Sequence, residues 1–302
     1  MNMDIRHLRY FLAVADAGSL TRAAEVLGIQ QPPLSQQIMA LEHEVGVPLL
    51  RRHPKGVALT PAGQVLRTEA QRLVAGMGAL QERMARIAAG HEGVLDVAFT
   101  SSAAAHAFTP RLLRECRQRF AGIELRLSEH NAEDILDALV AGRLHAGLLR
   151  VPVNHPPGID MLTLLTEPAM LALPWGHPLV PDGRPRPLAP QALRDDGFIL
   201  VRRPGAPGLY ANWLRLCEQA GFQPRIVAEV DRMMTNLNLV AAGAGVSVVP
   251  ASMSGAHPEA IVYCPIAGGQ ALSAPLTLAW RRSDAEGPLA HLIAMARELA
   301  QP

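Results

Sequence analysis

Two adjacent prolines, Pro32 and Pro33, stand immediately before an apolar series at Leu34, Ile38, Leu41 and Val45. Proline has no backbone N–H, so within a helix it belongs in the first turn, where that donor would have had no partner. Spacings of four, three and four put the apolar residues on one stripe of a 3.6-residue helix. The prolines therefore start a helix that buries one face. Its opposite face carries Pro32, Ser35, Gln36, Met39 and His43, compact or uncharged hydrogen-bonding groups instead of the Lys and Glu of an ordinary solvated helix. Such a face suits the reading of base edges in a major groove.

The residues before it supply a platform. Asp4 is placed to cap a first helix whose apolar stripe is Leu8, Phe11, Leu12 and Ala15, and Gly18 ends it. Ser19 is expected to cap a second helix over 20–27, where Ala23 and Ala24 are small enough for a close helix crossing. After the proline-started helix, the stretch 49–60, LLRRHPKGVALT, predicts two short strands around a basic turn. A short amphipathic helix pair is more often core packing than a DNA reader, and a basic turn is more often merely solvated. The order of the pieces selects the other reading. Three helices followed directly by a basic hairpin form a winged helix-turn-helix, in which the third helix enters the groove and the wing meets phosphates.

The run LRYFLAVADAGSLTRAAEVLGIQQPPLSQQIMALEHEVGVPLLRR, followed by GVALTPAG, resembles the N-terminal domain of LysR-type transcriptional regulators over about residues 3–63. Carried over by position, the resemblance implies base or groove contacts from Gln31, Pro32, Ser35 and Gln36. It implies phosphate contacts from Arg51 and Arg52, with Lys55 beside them in the wing. Many members carry Arg where this chain has Gln36; a glutamine there directs the expected contact to adenine instead of guanine.

Composition narrows the partners. A net charge of +1 over 302 residues excludes a broadly basic nucleic-acid coat, so attraction to DNA must come from local placement in the wing. The N-terminus lacks a basic segment leading into an apolar core, and no stretch approaches ~18 uncharged apolar residues. No membrane partner is expected, and a cytoplasmic location is. Cys116, Cys217 and Cys264 are odd in number and far apart, which fits reduced thiols better than a disulfide framework or the paired cysteines of a peroxide sensor. No cofactor or metal is expected and no enzyme: His106, His130, His145 and His155 are not at metal-ligand spacings, and no GxSxG elbow occurs. A solute-binding protein for transport would suit the later two-thirds of the chain, but not its first 60 residues.

From Pro61 the chain is free to run as a long helix, with Thr60 as its cap. Leu66, Leu73, Leu80 and Ile87 repeat every seven residues, and Gly63, Ala70, Met77 and Met84 repeat in the companion position. That heptad pattern predicts dimerisation through Leu66, Leu73, Met77, Leu80, Met84 and Ile87, although Gly76 and Gly78 weaken the helix. Residues 88–93, AAGHEG, are expected to act as a hinge. Beyond it, strand and helix alternate: strands at 94–99, 123–127 and 146–149 with helices at 110–120 and 132–141, then strands at 198–201, 225–230 and 246–249 with helices at 210–220 and 233–242. Extended segments near 162–173 and 275–281 would join the two units.

The expected fold is α/β with an N-terminal all-α winged helix-turn-helix domain at 1–60, a linker helix at 61–90 and a two-lobed effector domain at 91–302. The lobes are expected at 91–165 plus 270–302, and at 166–269. The resemblance implies that this domain is periplasmic-binding-protein-like. Ligands bind where strand ends meet helix starts. Thr100, Ser101, Ser102, Asn131 and Arg150 in the first lobe, and Arg202 and Arg203 in the second, follow strands and are candidates to bind a small carboxylate effector. The expected partners are double-stranded promoter DNA, a small-molecule effector, RNA polymerase and a second copy of the chain in a homodimer or homotetramer.

Overall fold

The computed structural model describes residues 3–54, 56–150, 155–201, 208–268 and 272–301. Two compact units divide the chain, residues 1–86 and 87–302.

The first unit opens with α1, Ile5–Ala17, which Asp4 caps by accepting from the Arg6 amide at 2.9 Å. Gly18 ends α1 in the left-handed region, φ +62°. Helix α2, Leu20–Leu27, follows Ser19, whose hydroxyl makes no capping bond, contrary to expectation. Burial of Ala23 and Ala24 against α1 holds α2 instead, so packing replaces a local bond there. Helix α3, Gln31–Val45, has Pro32 and Pro33 in its first turn. Its buried residues are Leu34, Ile38 and Leu41, which share one core with Phe11, Val14 and Leu49. Strands β1, Leu50–His53, and β2, Gly56–Leu59, pair antiparallel as a wing. Val57 N donates to the Gly18 carbonyl at 3.0 Å, and Gly56 passes so close to that oxygen that a Cβ has no room.

Helix α4, Pro61–Ala88, begins where Thr60 Oγ1 accepts from Gly63 N at 2.9 Å and donates to the Pro48 carbonyl at 2.8 Å. Its two halves differ. Gly63 and Ala70 are buried and half-buried Leu66 packs on the core of the first unit, so Leu66 faces its own domain in part. Leu73, Met77, Leu80, Met84 and Ile87 are exposed, Leu73 at 57% and Leu80 at 54%.

In the second unit, β3 (Glu92–Phe99), β4 (Gly122–Glu129) and β5 (Ala146–Arg150) are parallel, with β3 in the middle. They alternate with α5 (Ser101–Ala104), α6 (Phe108–Arg119) and α7 (Ala132–Val140). The extended segment at 162–173 lies within one long strand, β6, Ile159–Pro174. Then come β7 (Gly197–Val201), α8 (Gly208–Gln219), β8 (Arg225–Val230), α9 (Met233–Ala241) and β9 (Ser247–Pro250). Strands β7 and β8 are parallel, as the repeated alternation predicts. Strand β10 (Ile261–Pro265) and helix α10 (Gly287–Ala300) lie outside that alternation, on either side of β11, Ser273–Arg281.

Strand β6 serves both lobes. Its first part pairs antiparallel with β11, which also pairs with β5; its last part pairs with β9 and β10. Leu95, Leu148, Leu278 and Leu292 belong to one core, and Leu171, Phe198, Trp213 and Val248 to another. The segment expected as a hinge packs against α10. Gly90 is buried with φ +71°, a Cβ on it would meet Gly287 of α10, and His291 Nε2 donates to the Ala89 carbonyl at 2.8 Å. Among the described residues no helix is long and apolar enough to cross a membrane, and no cluster of three His, Cys, Asp or Glu side chains is placed to hold a metal.

Candidate nucleic-acid interface and ligand cleft

The period that buries Leu34, Ile38 and Leu41 turns the other side of α3 outward. Gln31, Pro32, Gln36, Met39 and His43 are exposed there, and Ser35 is half-buried. Arg51 and Arg52 are exposed on β1. Arg52 Nη2 donates to Ser35 Oγ at 3.2 Å, so the wing guanidinium is tied to the helix that carries the glutamines. Lys55, the third cation expected in the wing, lies outside the described residues.

In the second unit a cavity of about 110 Å³ opens between the lobes. The turn from β3 into α5 brings Thr100, Ser101 and Ser102 to its wall, and the turn from β4 into α7 brings Asn131. Arg150, the last residue of β5, lines it as well. Facing these is an apolar wall of Leu200 from β7, Leu209, Tyr210 and Trp213 from α8, and Val248 from β9. Five of the seven candidate effector residues are thus brought to one place, while Arg202 and Arg203 lie outside the described residues.

Several of these groups already have local work. Thr100 Oγ1 accepts from Ala103 N at 3.2 Å, capping α5. Asn131 Oδ1 accepts from Asp134 N at 2.9 Å, capping α7, and its amide donates to the Asp134 carboxylate. Arg150 is not the solvated strand-end cation that its position suggests. It is 8% exposed; Nη1 donates to the Ala274 carbonyl at 2.8 Å, and Nη2 to the Ser102 carbonyl at 3.1 Å and Ser252 Oγ at 3.2 Å. Nη2 also forms an ion pair with Glu167 of β6. Glu167 in turn accepts from Ser252 N at 2.6 Å and Ser252 Oγ at 2.8 Å. Burial pushes the pKa of Arg150 below the usual guanidinium value, against the opposing charge and hydrogen bond of Glu167. A second pair, Arg232 Nη1 to Glu129 Oε1 at 2.9 Å, joins the residue before α9 to the end of β4, and both residues line the cavity.

Sequence reasoning missed Glu167, Ser252, Trp213 and Arg232. Glu167 left a signal, a single carboxylate inside the apolar run LTLLTEPAMLALP, where an uncompensated charge would be costly. The others carry no local mark, because their roles depend on segments far apart in the chain. All three cysteines are buried, and burial raises each thiol pKa, that of Cys217 to about 12. Near neutral pH they are thiols, not the thiolates that redox sensing needs.

A winged helix-turn-helix in one unit and a cleft between two α/β lobes in the other define a ligand-responsive DNA-binding protein. Residues 5–64 match the family described as bacterial regulatory helix-turn-helix protein, lysR family, and residues 88–301 match the LysR substrate binding domain. The chain is 35% identical to the HTH-type transcriptional regulator AlsR of Bacillus subtilis (strain 168), over 96% of this chain and 94% of that one. It is 36% identical to the HTH-type transcriptional regulator BudR of Raoultella terrigena, over 93% and 96% of the two chains. Among solved structures, CbnR, a LysR family transcriptional regulator, superposes with a TM-score of 0.84 at 31% identity, covering 98% of this chain and all of that one. Full-length CbnR complexed with its target DNA gives 0.81 at 30% identity, covering 99% of this chain and all of that one. The protein belongs to the LysR family of DNA-binding transcriptional regulators.

Proposed function

We propose that this regulator holds double-stranded promoter DNA as a homodimer or homotetramer and shifts its conformation when a small carboxylate enters the cleft. The observation that carries the reading is the cavity itself, with Ser101 and Ser102 at the start of α5 on one side, Leu209 and Tyr210 across from them, and Glu129, His130, Asp231 and two arginines also in its lining. Both described arginines of the cavity, Arg150 and Arg232, are already paired with glutamates. The carboxylate is therefore received by Ser101, Ser102 and the amides at the start of α5, with its carbon skeleton against Leu209 and Tyr210. Occupancy re-angles the lobes, moves α4, and alters DNA bending or contact with RNA polymerase. The exposed stripe from Leu73 to Ile87 supports self-association, since a row of large apolar side chains on one helix is stable in water only when a partner covers it. Action on promoter DNA supports a cytoplasmic location.

Thermal-shift screening against small carboxylates, aromatic acids and neutral metabolites tests the cleft. A ligand at about a hundredfold its Kd stabilises the native state by about 2.7 kcal/mol, on the order of 5–10 °C for a domain of this size. The shift is expected from a carboxylate and is expected to vanish in Ser101→Ala with Ser102→Ala. Stabilisation by neutral compounds alone sinks the carboxylate assignment. On the DNA side, Gln36→Ala is expected to relax sequence preference by about 1–3 kcal/mol at one base pair. Arg51→Ala is expected to weaken all sequences alike and to reduce the salt slope by about one. Fluorescence-anisotropy titration of operator and random duplexes at several salt concentrations separates the two; an unchanged preference in Gln36→Ala removes the base-reading role.

A further inference from the structure

We propose that Glu42 is a positioning residue for DNA binding: from the last turns of the recognition helix it fixes where the wing presents its arginines. The proposal rests on the wing meeting phosphates. Half-buried Glu42 turns one oxygen, Oε1, to two successive backbone amides, accepting from Leu49 N at 2.7 Å and Leu50 N at 3.0 Å. Leu50 is the first residue of β1, and Arg51 and Arg52 follow it directly. The other side of this short segment is held as well. The Leu49 carbonyl accepts from Thr60 N at 3.0 Å, the Pro48 carbonyl accepts from Thr60 Oγ1 at 2.8 Å, and the Leu49 side chain is fully buried.

The chain between α3 and β1 is a short turn through Gly46, at φ +78°, whose amide donates to the Glu42 carbonyl at 2.8 Å. Beside the Thr60 bonds, the carboxylate fixes the start of β1 from the α3 side with two charge-assisted bonds. The Arg52 to Ser35 bond at 3.2 Å ties the wing to the same helix nearer its start. Recognition helix and wing are thereby registered at two points, and the wing cations are held at one offset from the glutamines of α3. Binding then orders fewer groups, which is where preorganisation gains affinity.

Simple electrostatics predicts the opposite sign, because removing a carboxylate beside a polyanion site strengthens its attraction for phosphate. Positioning predicts that Glu42→Ala binds a duplex of the upstream intergenic DNA on the order of tenfold more weakly. Its salt slope should fall by about one, with hydroxyl-radical protection lost at the flanking phosphates and kept at the recognition-helix contacts. Glu42→Gln retains an oxygen at the same reach and is expected to stay within about threefold of the parent protein. Glu42→Asp keeps the charge but is one methylene too short to meet both amides; it should behave like Glu42→Ala, and it carries the test if the alanine variant does not fold. Circular dichroism melting checks the fold of each. Parental or tighter binding by Glu42→Ala or Glu42→Asp overturns the proposal, as does weaker binding with unchanged slope and flanking protection. Arg51→Ala and Arg52→Ala run in parallel: if neither changes the slope, the wing reading fails and the proposal with it, whereas a normal slope loss there with none at Glu42 overturns the proposal alone.

Discussion

Replacing Glu167 by alanine is expected to destabilise the effector domain by about 3–5 kcal/mol, because it leaves the Arg150 guanidinium buried without its counter-charge. The loss is larger than that of one ion pair at a surface. Arg150 and Glu167 side chains are 9% and 10% exposed, so water does not replace the missing partner, and Ser252 N loses its acceptor in the same step. For a domain of this size, 1 kcal/mol moves the melting temperature by about 2–4 °C, so a fall on the order of 10 °C should be seen in calorimetry. The double replacement Arg150→Met with Glu167→Leu should cost less than Glu167→Ala alone, since it removes both charges and with them the desolvation penalty. A single-site cost below about 1 kcal/mol, or a double variant worse than the single one, would show that the pair is not what compensates the buried guanidinium.

Gly63→Ala is expected to destabilise the DNA-binding unit by about 3 kcal/mol or more, with loss of operator binding. Helix propensity by itself predicts the reverse, a gain of about 1 kcal/mol, since Gly63 lies within α4 at no positive φ. Sterics decides. A Cβ at Gly63 would overlap the Leu49 carbonyl oxygen and approach Leu49 C to 3.1 Å and Leu59 Cδ2 to 3.2 Å. The obstructing atom is backbone, and it already accepts from Thr60 N, so it cannot swing aside without breaking the wing junction. Gly76 on the same helix is the control. A Cβ there meets nothing within 4 Å, and Gly76→Ala should gain about the propensity difference. Thermal unfolding of the two variants should therefore move in opposite directions, and a Gly63→Ala protein as stable as its parent would remove the steric account.

The residues that act through sequence-local geometry were the legible ones. Asp4 caps α1 because a side-chain acceptor at that position meets an amide two residues on, and Leu34, Ile38 and Leu41 are buried together because 3.6-residue periodicity leaves no other face for them. The effector-site candidates divided along the same line. Thr100, Ser101, Ser102 and Asn131 come to the cavity because each stands at a strand-to-helix turn, a position that periodicity locates. Thr100 and Asn131 are there also the caps of α5 and α7. Ser19 shows the limit of the cap rule, since a hydroxyl in the right place makes no bond there.

Sequence by itself determined the order of helices, the wing, the long heptad-patterned helix and the double strand-helix alternation, because each follows from bonds and side-chain periods within a few residues. Tertiary structure alone decided what the polar groups do once those elements meet. It paired Arg150 with a glutamate on β6 and a serine beyond β9, gave Leu49 and Leu50 to Glu42, pressed Gly63 onto a carbonyl and packed the expected hinge against α10. These are contacts between segments that the chain brings together only through its cores, and a charge or a glycine carries no local record of which distant atom will face it.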